Sequence, residues 1–113
     1  MPHTIAVQIV ATETYAKKAG KLFGGDERVA AENSIAANPF RWPVIRGTGG
    51  IRKARVAFGG KGKSGGLRVI YFYQASPETI YLPAVYPKSE QEDLSPADRK
   101  AWAKFVKVLT EEP

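Results

Sequence analysis

The chain has 113 residues, 43% hydrophobic and 25% charged, with 17 lysines and arginines against 11 acids for a net charge of +6. That length builds one compact core, so a single domain spanning residues 1–113 is expected, and the composition is that of a soluble fold. No apolar run approaches the ~20 residues of a membrane helix and no secretory signal opens the chain, which points to the cytoplasm, while the absence of cysteine and the single His3 exclude disulfides, thiolate nucleophiles and Cys- or His-built metal sites.

Residues 4–10, β-branched and apolar, predict a first strand. Tyr15, Ala16, Ala19, Leu22 and Phe23 then form one helical stripe that Thr12 caps, and Gly24 and Gly25 end it. A second helix is expected from Asp26 as N-cap, burying Val29, Ala30 and Ala36 or Ala37 and stopping at Asn38 before Pro39. The two make a helical hairpin. Residues 39–50 hold two prolines and three glycines and read as a structured loop. The period then changes to two. Over 51–58, Lys53, Arg55 and Ala57 share one face of a half-buried strand and Ala54, Val56 and Phe58 the other. LRVIYFY at 67–73 is a central strand paired with it as a hairpin, and TIYLPAVY at 79–86 is a further strand in which Pro83 marks an edge or a bulge. The C-terminal helix starts with Ser95 as N-cap and Pro96 at its first position, and carries an apolar stripe of Trp102, Phe105, Val106 and Leu109.

The placement of charge says more than its sum. No acid occurs from residue 33 to residue 77, whereas Arg41, Arg46, Arg52, Lys53, Arg55, Lys61, Lys63 and Arg68 all fall there. A merely solvated surface mixes the two signs, and a block of one sign suits a polyanion such as nucleic acid. The segment AFGGKGKS resembles the end of a phosphate-binding P-loop, but Ala57 stands where a glycine is required and the segment joins two strands rather than a strand and a helix. Its glycines and Lys61 and Lys63 read instead as a hairpin loop that contacts phosphates. Lys53 and Arg55, two apart on a strand, project together, and Arg68 opens the neighbouring strand. Trp42, Tyr71, Phe72 and Tyr73 are candidates for stacking on bases, although alternation sends at least one of the strand aromatics into the core. Glu92 and Asp93 adjoin a helix N-terminus, where carboxylates are favoured in any case.

The segment IRGTGGIRKARVAFGGKGKSGGLRVIYFY at 45–73, followed by VYPKSEQEDLS at 85–95 and preceded by ANP at 37–39, resembles the RelE/HigB superfamily of toxins, most closely its HigB-like branch. The helical hairpin and the C-terminal helix fall in the family's order, so the resemblance covers nearly the whole chain. It implies an α+β, RelE/ParE-like fold: an N-terminal helical hairpin on a four- or five-stranded antiparallel sheet, plus a C-terminal helix. It further implies the toxin of a type II toxin–antitoxin system, an endoribonuclease that cuts messenger RNA on the ribosome and is blocked by a HigA-like helix-turn-helix antitoxin, with no metal, cofactor or membrane involved. The family's basic residues fall on Lys53, Arg55, Arg68 and Lys88, whereas its C-terminal tyrosine meets Leu94. Two other readings stay open: a ParE-like gyrase inhibitor, and a non-enzymatic RNA- or ribosome-binding module.

Metal-free RNA cleavage uses the 2′-hydroxyl as nucleophile, so a protein must take its proton, neutralise the phosphorane and protonate the leaving oxygen. Lys53, among arginines that disfavour its charged form, is the first choice of base. Arg55 and Arg68 are expected to hold the scissile phosphate, and Lys88, Tyr71 or Tyr73 to serve the leaving group. Arg52, Lys61, Lys63, Tyr71 and Tyr73 are the expected substrate contacts.

Overall fold

The computed structural model describes residues 7–56, 66–90 and 94–111. The elements run β1 (Gln8–Ala11), α1 (Glu13–Leu22), α2 (Gly25–Ala37), β2 (Ile51–Val56), β3 (Leu67–Ala75), β4 (Glu78–Pro87) and α3 (Pro96–Thr110). The sheet order is β1-β4-β3-β2. β2–β3 and β3–β4 pair antiparallel, but β1 runs parallel to β4. The sheet is therefore mixed rather than wholly antiparallel: β1 and β4 are far apart in the chain, so no turn dictates their direction.

Pro83 sits at a bulge and not at an edge. β4 lies between β1 and β3, and its register against β3 shifts between Ile70, opposite Ala84, and Phe72, opposite Tyr81. Leu82 and Pro83 together face Tyr71, so the residue that lacks an N–H occupies the position where the ladder is already interrupted. The Thr12 hydroxyl donates to the Pro83 carbonyl (3.1 Å) and, as N-cap of α1, accepts from the Tyr15 N–H (3.0 Å), tying the hairpin to the bulge.

Two apolar layers flank the sheet. On one face α1 and α2 enclose Tyr15, Ala19, Ala31 and Ile35 over Ala54, Leu67, Val69, Tyr71, Ile80, Leu82 and Val85. On the other, the expected stripe of α3 covers Ile51, Ile70, Phe72 and Tyr86, and Leu94 and Val106 are largely buried among them. The rotation of α2 differs from the sequence expectation. Its N-cap is Gly24, whose N–H donates to Glu27 (2.9 Å), and it buries Ala31 and Ile35 while Val29 stays 57% exposed. An alanine-rich helix offers little apolar contrast, and the polar side of this one fixes its rotation: the Tyr15 hydroxyl donates to Glu32 (2.8 Å), which also pairs with Arg28 (2.9 Å). Among the described residues no helix is long and apolar enough to cross a membrane.

The loop 39–50 closes on itself as a second, shorter hairpin beside β2. Val44 bridges Arg52, and the Ile45 N–H donates to the Ile51 carbonyl (2.7 Å). Thr48 is fully buried, donating through its hydroxyl to Ile45 (2.6 Å) and accepting from the Ile51 N–H (3.0 Å). Gly50, at φ +135°, passes so close to Phe72 that a Cβ would lie 2.8 Å from its ring. The GTGG segment is thus a packing device that seats the start of β2 on the core.

Candidate functional site

Strand parity sorts the basic residues onto faces. Ile51, Lys53 and Arg55 alternate with Arg52, Ala54 and Val56, and Ala54 belongs to the core under the helical hairpin while Ile51 belongs to the core under α3. Lys53 and Arg55 therefore project on the α3 side. Across the β2–β3 ladder Arg55 is the direct register partner of Arg68, which is in turn opposite Tyr86 of β4. Facing side chains in such a row start ~5 Å apart, so the two guanidinium groups rise from neighbouring positions on one surface. Arg55 is exposed, whereas Arg68 is only 4% exposed and forms the floor beside it.

The surface is bounded by a groove of about 440 Å³, lined by Trp42, Pro43, Val44 and Ile45 of the loop, Lys53 and Arg55 of β2, and Leu94 and Arg99 at the start of α3. Three cations and no carboxylate line it among the described residues. Among the described residues the ion pairs Lys18–Glu90, Arg28–Glu32 and Lys107–Glu111 lie elsewhere and involve neither Arg55 nor Arg99. Converging cations beside an apolar wall attract an anion that carries a hydrophobic group. Among the described residues no cluster of His, Cys, Asp or Glu is arranged to hold a metal ion.

The expected contacts divide sharply. Lys53 and Arg55 meet at the groove and Arg68 lies on the same face. Lys88 follows β4, its N–H bonded to the Gly66 carbonyl (3.1 Å) at the strand end near Arg68. Arg52, Tyr71 and Tyr73 belong to the opposite face, which separates them from the groove. Arg52 donates to the Trp42 carbonyl and lies over the Phe40 ring. Tyr71 is fully buried, its hydroxyl donating to Pro39 (2.7 Å); burial pushes its phenol up, with the Arg52 charge opposing. Tyr73 donates to Glu78 (3.0 Å). Lys61 and Lys63, like Glu92 and Asp93, fall outside the described residues.

Arg99 was not among the sequence candidates. It stands three residues before Trp102 and seven before Val106, which makes it a cation on the buried stripe of α3, and a charge continuing an apolar stripe is the signal that identifies it.

A helical hairpin and a C-terminal helix on opposite faces of a four-stranded sheet, with a cationic groove where the C-terminal helix begins, define a small α+β class. Solved structures share it. The free form of E. coli toxin RelE carrying two arginine-to-alanine substitutions superposes with a TM-score of 0.57 at 18% identity, covering 89% of this chain and 97% of that one. The isolated E. coli RelE toxin gives 0.54 at 18%, covering 92% and 99%. A chain of the intact E. coli RelBE toxin–antitoxin complex gives 0.55 at 19%, covering 73% and 96%. At these identities the likeness is one of fold. The sequence itself matches, over residues 46–112, the family model described as RelE toxin of the RelE/RelB toxin–antitoxin system, and with more than half its length matched the chain belongs to the RelE toxin family.

Proposed function

We propose that this protein is the toxin of a type II toxin–antitoxin pair, of the HigB-like branch, and that it cleaves messenger RNA on the ribosome in the cytoplasm without a metal. The observation that carries the reading is the convergence of Lys53, Arg55 and Arg99 on one groove, with no carboxylate among its described lining residues and Arg68 beside it. An arginine is not deprotonated in proteins, so Lys53 is the lining cation able to exchange a proton. In its neutral form Lys53 takes the proton of the 2′-hydroxyl, the 2′-oxygen bonds to phosphorus, and the bond to the 5′-oxygen breaks, leaving a cyclic phosphate. Arg55 and Arg68 hold the phosphorane oxygens, and Lys88 supplies the proton of the departing 5′-hydroxyl. A HigA-like helix-turn-helix antitoxin covers this basic surface, as suits a protein of the family whose E. coli member is known in a RelBE complex.

The test is induced expression with mapping of messenger RNA ends. Because Arg68 is buried, its replacement confounds folding with chemistry, and Arg55→Ala is the cleaner variant. Loss of one such anion-binding donor is expected to cut cleavage roughly 100- to 1,000-fold. A 2′-deoxy substitution at the cut site should abolish cleavage while leaving affinity nearly intact. Intact messenger RNA with wild-type toxin, alongside gyrase inhibition or growth arrest, would replace the proposal with the ParE-like or the non-enzymatic reading.

A further inference from the structure

The groove has more in it than a phosphate needs. Of its eight lining residues, Trp42, Pro43, Val44, Ile45 and Leu94 are apolar, and Val44 is 46% exposed. A site for phosphate alone requires cations and N–H donors and gains nothing from an apolar wall open to water. The groove also exceeds the ~300 Å³ at which pockets begin to hold small-molecule ligands, which leaves room for a base with its sugar. The wall is held firmly. Val44 is paired to Arg52 across the edge of β2, Arg52 donates to the Trp42 carbonyl, and Ile45 is bonded to Ile51 and packs on the core under α3. On the other side Arg99 extends from the first turns of α3 and Arg55 from β2, neither in an ion pair among the described residues.

We propose that this groove is a nucleotide-reading subsite: one unpaired base of a single-stranded RNA inserts against Trp42, Val44, Ile45 and Leu94 while Arg99 binds the phosphate flanking it, so that the groove sets the nucleotide preference of cleavage next to the scissile bond. The inference rests on the ribonuclease reading above and adds to it a position and a class of ligand. Two features favour RNA over a peptide. The groove's lining carries cations without a carboxylate among the described residues, matching a polyanion, and a base is flat and apolar on its faces, which suits a wall of Trp, Val and Ile. In this arrangement Arg99 binds substrate, and Trp42 discriminates between bases.

Two measurements test it. In cells, the ends of cut messenger RNA should show a nucleotide bias at one position beside the cut. Trp42→Leu, which keeps an apolar side chain on the core, should weaken capture of the inserted base by roughly 5- to 150-fold, the span of one lost stacking contact, and flatten the ratio of preferred to disfavoured sites. Arg99→Gln should lower cutting at all sites with the bias preserved. Separately, single-stranded RNA oligonucleotides with one 2′-deoxy sugar at the mapped cut site and 4-thiouridine at successive positions around it are photocrosslinked to the protein. Adducts within residues 42–45 support the subsite, and their loss in Val44→Glu, a substitution at an exposed position that needs no repacking, supports it further. An unchanged bias in folded Trp42→Leu, or adducts confined to other segments, overturns the proposal, as does a protein that crosslinks elsewhere but loses antitoxin binding on the same substitutions. Adducts at 42–45 without any cleavage by the wild type would leave the subsite standing and remove the ribonuclease reading instead.

Discussion

The two faces of the sheet are built from similar residues and used differently. Under the helical hairpin the tyrosine hydroxyls are each tied to a partner: Tyr15 to Glu32, Tyr71 to Pro39, Tyr73 to Glu78. Under α3 the apolar layer covers Ile51, Ile70 and Phe72 but gives way, at the Lys53, Arg55 and Arg68 end, to charge. A closed face supplies stability, and a half-closed face presents cations at fixed spacing because its other half is packed. The α3 face is thus neither a core nor a solvated surface, and the groove forms at the boundary between its halves.

The largest expected effect lies on the closed face. Leu82→Ala removes a fully buried side chain and should destabilise the fold by about 2–5 kcal/mol, measured by urea unfolding, while the cleavage proposed for the groove is retained per folded molecule. A loss of activity beyond the loss of folded protein would break the division between the faces. Gly50→Ala probes the seam. Its Cβ meets Phe72 and its φ is unfavourable for an L-residue, so a cost of about 1–3 kcal/mol is expected together with a displaced start of β2 and weaker cleavage. Stability lost with full activity would show that the seam does not position Lys53. The smallest effect is at Tyr15. Burial, and then its hydrogen bond to Glu32, push its phenol above the ordinary range, so the folded state disfavours ionisation. The stability linked to this group is complete below the ordinary tyrosine value of about 10 and is lost as pH rises beyond it. Tyr15→Phe should cost about 1 kcal/mol at neutral pH and flatten that alkaline decline, both readable from thermal melts.

Much of this was legible in the chain. Ser95, Pro96 and the stripe from Trp102 to Leu109 define α3 by local rules alone, and Thr12 caps α1 as its spacing demands. Lys53 and Arg55 share a face because the strand period is two. The same rule, applied strictly, separates Arg52 from them and Tyr71 and Tyr73 from Arg68, so parity alone argues against grouping those residues at one site. Other features had no local signal. The direction of β1 depends on a partner far along the chain, the rotation of α2 depends on Glu32 finding Tyr15, and Arg99 reaches the groove only because α3 docks over β2.

The bulge on β4 has one more consequence. Ile80 and Leu82 face the helical hairpin, and so does Val85, although it stands an odd number of positions from both; Ala84 and Tyr86 accordingly join Tyr81 on the α3 side. A single supernumerary residue inverts the strand halfway along, and only the inverted half places Tyr86 in line with Arg68 and Arg55. Position 83 is therefore constrained in arithmetic more than in chemistry: the strand can exchange the proline for another residue, but losing the residue would turn its last four side chains inside out.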